Sequence, residues 1–301
     1  MPFTPSHAVV ALPFIRTPLV PAAIAIGSMT PDLPLFVRAL PLDYGTTHAF
    51  AWLPATMLLA LVLLIVWRCV LRPAARELSP RWLGVRLPGE WDAGAGPAIR
   101  ETLSIVPGAP ARVSWGRMLL LVVSLALGVV SHIVWDTFTH VDRWGTVTVP
   151  ALMDDWGPLP GYKWLQHGSS AIGLAIIGIW MLVWLVRRDA EAPVVRVLPG
   201  WVRWVWWISL PIVLVVAWLG ALAVHGPLDA EFTAAHLAYR VLPPACAVWA
   251  AVTVALCVVV QLMRRRAGAQ RPAGENRGIT RISARDTPGM WGGFDGGGGS
   301  A

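Results

Sequence analysis

Three residues with metal-binding side chains, His132, Asp136 and His140, recur at i, i+4 and i+8. On a helix, successive members of such a series turn by about 40°, so they share a face. Imidazole nitrogen and carboxylate oxygen are the donors that suit Zn²⁺ and related divalent ions. A His-x3-Asp pair on one helical turn can therefore hold a metal from one side. His7, Asp32, His48 and His167 can complete one site, or two adjacent sites, if the fold gathers them. Asp32 and Asp136 are then the catalytic candidates, to bridge two ions or to orient a water. Arg143 and Lys163 are candidates for binding a phosphate, or for neutralising a carboxylate without any metal.

Each of these residues has a plainer reading when taken singly. A lone histidine at a helix end is an interfacial residue, and Asp32 after Pro31 caps a turn. Asp136 reads as a helix-end carboxylate beside Thr137 and Thr139. Taken together, the set reads as a metal centre, with a structural hydrogen-bonded network as the alternative. His225, Asp229, Glu231 and His236 are loosely spaced and read as loop residues, as does Asp154-Asp155. The run His167-Gly168-Ser169-Ser170 is no nucleophile elbow, since no strand precedes it. Gly168 and Gly173 read instead as sites of close helix packing.

The elements that must position these residues are membrane helices. The chain is 56% hydrophobic and only 14% charged, against about 25% charged in a soluble domain. Residues 49–67, 118–135, 164–186, 204–228 and 241–263 contain no Asp, Glu, Lys or Arg. Each is close to or beyond the roughly 20 residues that cross a bilayer. Residues 1–48 differ, because Arg16 divides the uncharged stretch 1–31 and prolines punctuate it. Each half reaches only about 22 Å as a helix. They are expected to form a re-entrant or interfacial helical hairpin carrying the first ligands, packed on protein. The predicted fold is thus all-α, a polytopic transmembrane bundle of five full spans plus this hairpin.

A net charge of +7 does not indicate nucleic acid. All basic residues but Lys163 are arginine, and they cluster beside the apolar blocks. If the loop after the first span faces inward, 19 of the 24 basic residues lie inside, as the positive-inside rule requires. The 72–115 loop and the tail 264–301 are then cytoplasmic, and the Gly-rich tail is expected to be disordered. Many of the 18 tryptophans sit at block ends, where the ring suits the headgroup zone. Cys69, Cys246 and Cys257 form no disulfide framework. No cleavable signal peptide is evident, so the spans are expected to direct insertion. The Lys-poor, Arg- and Trp-rich composition suggests a bacterial plasma membrane. This orientation, derived from arginines alone, gathers His7, Asp32, His48, His132, Asp136, His140 and His167 at the outer membrane level.

Several of these residues stand in motifs that resemble a known family. They are Pro2-Phe3-Thr4-Pro5-Ser6-His7-Ala8, Gly27 to Asp32, Thr46-Thr47-His48, Ser131 to His140, and Leu165 to Ser170. Over about residues 1–190 the chain resembles an uncharacterised bacterial family of multi-pass membrane proteins, classed as a domain of unknown function. More distantly, the ordered set is similar to membrane-bound metal-dependent hydrolases and to zinc-dependent phospholipase C. That resemblance implies that His7, Asp32, His48, His132 and Asp136 ligate one or two zinc ions that activate water. His140 and His167 match it less closely, and the additional His-x3-Glu pair of the phospholipases is missing. The implied function is a metal-dependent hydrolase of an ester or phosphoester, lipid-linked, at the outer face. The alternative is a non-enzymatic membrane protein with a structural His/Asp cluster. A transporter is disfavoured, since few polar residues continue below the outer third of the spans.

Overall fold

The computed structural model describes residues 3–106, 112–190, 193–229 and 232–269. Its contacts divide the chain into Met1–Gln261 and Leu262–Ala301. Of the second unit, 262–269 are described and are helical. The last helix thus runs through Arg264–Arg266 to Ala269, residues that the sequence reading assigned to the tail. The remainder of that tail, 270–301, lies outside the described residues.

Five helices among the described residues are long and apolar enough to cross a membrane: Phe50–Leu78, Trp115–Thr139, Gly161–Val186, Gly200–His225 and Ala234–Ala267. They are called spans one to five below. Span one runs eleven residues past the uncharged block, because its arginines find partners beyond the apolar zone. Arg68 and Arg72 reach Glu101 at 3.4 and 3.1 Å, and Arg76 pairs with Asp92. A π-helical turn, Trp67–Leu71, interrupts it. Pro73 explains the turn: its ring has no N–H and crowds the carbonyl four residues back, that of Cys69. The Gln261 amide donates to that carbonyl at 3.0 Å and to the Val70 carbonyl at 3.3 Å. The intervening 72–115 segment folds into short helices, Arg81–Gly84, Gly89–Ala93 and Ala95–Thr102. Two-residue strands, Ile105–Val106 and Arg112–Val113, pair antiparallel.

The amino-terminal hairpin is present, and its arms differ. The first, Thr4–Phe14, is a 3₁₀ helix; the second, Pro21–Met29, is an α-helix. A 3₁₀ helix stacks residues i and i+3, so Thr4 and His7 share an edge. The second arm lies along span two. Ser124 Oγ accepts the Val20 N–H at 2.9 Å, and one turn later Gly27 and Gly128 bring the two backbones into contact. A Cβ on Gly27 would lie 2.8 Å from the Leu125 carbonyl oxygen. Another turn on stands His132, and a further turn on, Asp136. One face of span two thus carries anchor, crossing point and ligands at i+4 intervals.

Two buried clusters fasten this arrangement. Ala23, Ala60, Leu64, Leu121, Leu125, Val129 and Ile133 join the hairpin to spans one and two. Ala74, Leu78, Cys257 and Val260 join the far end of span one to span five, with Trp206 packed against them. Spans three and four expose most of their apolar side chains, as lipid-facing helices do.

Candidate metal centre

Asp32, His48, His132 and Asp136 come together at the end of spans one and two, all four buried. Each arrives by a different device. Asp32 ends the short turn Thr30–Asp32 that follows the hairpin. His48 follows a single helical turn, Tyr44–Thr47, capped by Asp43, whose carboxylate accepts the Thr46 N–H. Thr47 ties that turn to the hairpin by donating to the Pro31 carbonyl at 2.7 Å. His132 and Asp136 stand one turn apart on span two.

Hydrogen bonds settle which ring nitrogens face inward. His132 Nδ1 lies 2.7 Å from the Ser28 carbonyl oxygen, and His48 Nδ1 lies 2.8 Å from that of Tyr44. A carbonyl only accepts, so each Nδ1 carries the proton and each neutral ring presents an Nε2 lone pair. Those two Nε2 atoms face each other at 3.1 Å. Two lone pairs at that distance repel unless a proton or a metal cation lies between them.

The carboxylates complete the figure. Asp32 Oδ1 is 3.8 Å from His48 Nε2 and 3.6 Å from His132 Nε2. Asp136 Oδ2 is 3.5 and 3.6 Å from the same two atoms. A tetrahedral site with bonds of about 2.0–2.2 Å has edges of roughly 3.3–3.6 Å. Five of the six donor–donor distances therefore stand close to tetrahedral edges, all four atoms lie within 4.8 Å of one another, and the group can hold a metal ion. Among the described residues no lysine or arginine pairs with either carboxylate; the ion pairs are all to imidazoles. Two buried carboxylates so placed call for compensating positive charge, which a metal ion or a protonated imidazole supplies.

A second ring of groups holds the first in place. Thr4 Oγ1 donates to Asp32 Oδ2 at 2.7 Å, which leaves Oδ1 without a protein hydrogen bond and aimed at the histidines. The Tyr44 hydroxyl donates to Asp136 Oδ2 at 3.3 Å. Burial, then the adjacent Asp136, pushes the Tyr44 pKa up, so this phenol stays a neutral donor. The His7 ring stacks on His132 with centroids 4.1 Å apart, and its Nε2 is 3.9 Å from Asp136 Oδ1. Burial, then the neighbouring His132, lowers the His7 pKa to about 3. His140 sits beside Asp136, with Nδ1 3.1 Å from its carbonyl oxygen. The buried atoms His7 Nε2, His140 Nε2 and Asp136 Oδ1 have no hydrogen-bond partner.

A crevice of about 20 Å³ opens between Tyr44, His48, Asp136, His140 and Arg143. That is room for about one water. Arg143 thus stands at the mouth of the group. Lys163 does not: its Nζ is bound to Gln166 Oε1 at 3.0 Å. His167 is also apart, exposed on span three, while its neighbour Gln166 is the buried one. One residue is about 100° of helical rotation, enough to exchange inside for outside. Thr4 and Tyr44 are the residues that motif reading passes over. Their spacing, three before His7 and four before His48, is the signal that finds them. Of the loosely spaced set, Glu231 lies outside the described residues.

Replacing Thr4 with valine keeps the shape and removes the Asp32 bond. Metal affinity is expected to fall about 10–100-fold, the usual cost of losing an outer-shell partner. Competition against a chromophoric chelator measures it, and unchanged affinity would show that Thr4 does not orient Asp32.

No curated protein and no solved structure matches the chain. One family model does, over residues 1–263, a stretch that takes in His7, Asp32, His48, His132 and Asp136. The chain accordingly belongs to the family described as a domain of unknown function, DUF4184.

Proposed function

We propose that this protein is a metal-dependent hydrolase acting on an ester or phosphoester of a lipid or lipid-linked substrate. The observation that carries the reading is the near-tetrahedral set of four buried donor atoms with a one-water crevice beside it. A divalent ion in that set, zinc by donor type, would lower the pKa of a water toward neutrality and polarise the scissile bond. Asp32 and Asp136 serve as ligands, each through one oxygen. Asp136 Oδ1, which has no hydrogen-bond partner and faces His7 Nε2, is positioned to orient the attacking water and take its proton. Arg143, at the mouth of the crevice, supplies a fixed positive charge for a phosphoryl oxygen. The excess of arginine on the opposite side supports an outward-facing site and a cytoplasmic carboxyl terminus in a bacterial plasma membrane.

The lipid part of the reading rests on a groove of about 670 Å³ between the 3₁₀ arm and spans two and three. Its walls are Val9, Val10, Trp135, Ile172 and Ile176, and one wall is His7 itself. An acyl chain lying there would bring its ester to the metal group. Gly168 opens onto this groove; a Cβ there would meet nothing within 4 Å. It is therefore not a packing glycine, unlike Gly173, whose Cβ would come 3.0 Å from the Ser6 carbonyl oxygen.

A structural metal site is the second reading, favoured by one observation: four protein donors close a tetrahedron by themselves, as structural zinc sites do. A turnover assay separates the two. Purified, metal-loaded protein is expected to hydrolyse long-chain esters or phosphodiesters, with activity lost on chelation. Gly168→Leu, which occupies the groove, should reduce long-chain turnover about tenfold, roughly two methylenes of burial, and spare a short soluble ester. Full metal occupancy without turnover of any member of the panel would sink the hydrolase reading and leave the structural one.

A further inference from the structure

A second cavity lies at the far end of span one and shares no lining residue with the metal group. It measures about 470 Å³ and is bounded by Ser79, Pro80, Arg81, Arg196, Arg203 and Trp204. Three guanidinium groups therefore line it, and among the described residues no carboxylate does. Glu77, which pairs with Arg203, is fully buried and already engaged. Its Oε1 accepts the Leu198 N–H at 3.1 Å and Arg203 Nη1 at 3.2 Å, and its Oε2 accepts the Val197 N–H at 3.1 Å. Arg196 is held by neutral acceptors, the carbonyl oxygens of Glu77 at 3.2 Å and Ser79 at 2.8 Å. These bonds fix the guanidinium without cancelling its charge. Burial, then the nearness of Arg203, lowers the Arg196 pKa; Glu77 opposes the shift and Arg81 adds a smaller part to it. Two guanidinium groups stand near Arg196 against the single carboxylate of Glu77, an excess of positive charge that a bound anion relieves.

The level of the cavity in the bilayer narrows the anion. Span four begins at Gly200, so Arg203 and Trp204 stand in its first turn. Trp204 is largely exposed on the outer surface. Trp207, one turn on, donates its indole N–H to the Leu78 carbonyl oxygen at 3.0 Å. Indoles at the start of an apolar span mark the headgroup layer. Basic pockets between spans at that depth suit the phosphate of an anionic lipid, and the cavity is large enough for a headgroup.

We infer that this cavity binds the phosphate headgroup of an anionic phospholipid, clamped between Arg81, Arg196 and Arg203 with its glycerol end beside Trp204. The site stands apart from the proposed hydrolytic one and does not depend on it.

Lipid retention by the full chain tests the inference. Protein in detergent is titrated with phosphatidylglycerol or phosphatidylcholine and examined by native mass spectrometry. Phosphatidylglycerol is expected to stay bound where phosphatidylcholine does not, and to be lost as salt rises. Arg81→Gln should weaken retention about fivefold, the usual effect of one basic residue at a lipid surface, and Arg81→Lys should retain most of it. Arg81 is exposed and lies outside the buried Glu77 contacts, so its substitution leaves the fold intact. Equal retention of both lipids, or Arg81→Gln indistinguishable from the parent, would overturn the inference. Displacement of phosphatidylglycerol by millimolar inorganic phosphate would overturn the lipid assignment in favour of a free anion.

Discussion

Substituting alanine for His132 is expected to empty the metal centre. The ring contributes a donor that, like His48 Nε2, neighbours both carboxylates, here at 3.6 Å, and the other imidazole at 3.1 Å. Losing it should cost more than the ~10–100-fold that outer-shell changes cost, so metal measured in the purified protein should drop from stoichiometric to trace. Because His132 is fully buried, its removal also leaves a cavity, and Asp136→Asn provides the check. That variant keeps the size and the Tyr44 contact while removing the charge. A thermal readout separates lost metal from a damaged fold. A ligand present at a thousand times its Kd stabilises the folded state by about 4 kcal/mol. The parent should therefore melt lower after chelation, whereas neither variant should respond to the chelator. Metal content and chelator response that match the parent in both variants would exclude this group as a metal centre.

Gly128→Ala should disturb the same centre from a full helical turn away. An added methyl would collide with the Ile24 carbonyl oxygen and come 2.8 Å from the Ser28 nitrogen and 3.0 Å from Gly27 Cα. These are backbone atoms, which cannot rotate aside, so the hairpin must lift off span two. Overpacking of this kind costs about 1–3 kcal/mol. The displacement falls on Ser28, whose carbonyl holds His132 Nδ1, and on Asp32 four residues further. Metal affinity should drop with stability, by at least the ~10–100-fold of a lost outer-shell bond. Gly220→Ala on span four is the control, since a methyl there meets nothing within 4 Å. If the two variants unfold at the same temperature and bind metal equally, the glycine crossing does not position the site.

The spans were legible because hydropathy alone marks them, and their helical ends were not. The uncharged block of span one stops at Trp67, yet the helix continues to Leu78 because Glu101 and Asp92 come back to meet its arginines. No local property of Arg68 or Arg72 announces a partner some thirty residues on. The donor residues were legible for a different reason. Arginine asymmetry implied an orientation, and that orientation implied which histidines share a membrane level. That argument resolves level but not direction round a helix. It therefore grouped His167 with the donors, although span three turns Gln166 inward and His167 outward. Thr4 and Tyr44 escaped because a hydroxyl disturbs neither hydropathy nor charge counts. Their role follows only once a 3₁₀ turn stacks Thr4 over His7 and one α-turn brings Tyr44 against His48.

The hairpin has a consequence for the order of synthesis. Its anchoring bonds, Val20 to Ser124 and Ser28 to His132, each join residues 104 positions apart. Residues 4–36 therefore leave the ribosome, and span one follows them, long before the helix they rest against exists. Until span two arrives, Asp32 and His48 lack the imidazole that stands between them, and the close-packing face of Gly27 has nothing to meet. Contacts of such long sequence separation are slow to close. The hairpin therefore precedes the helix it rests against, and the ligand set is completed only when residue 136 emerges.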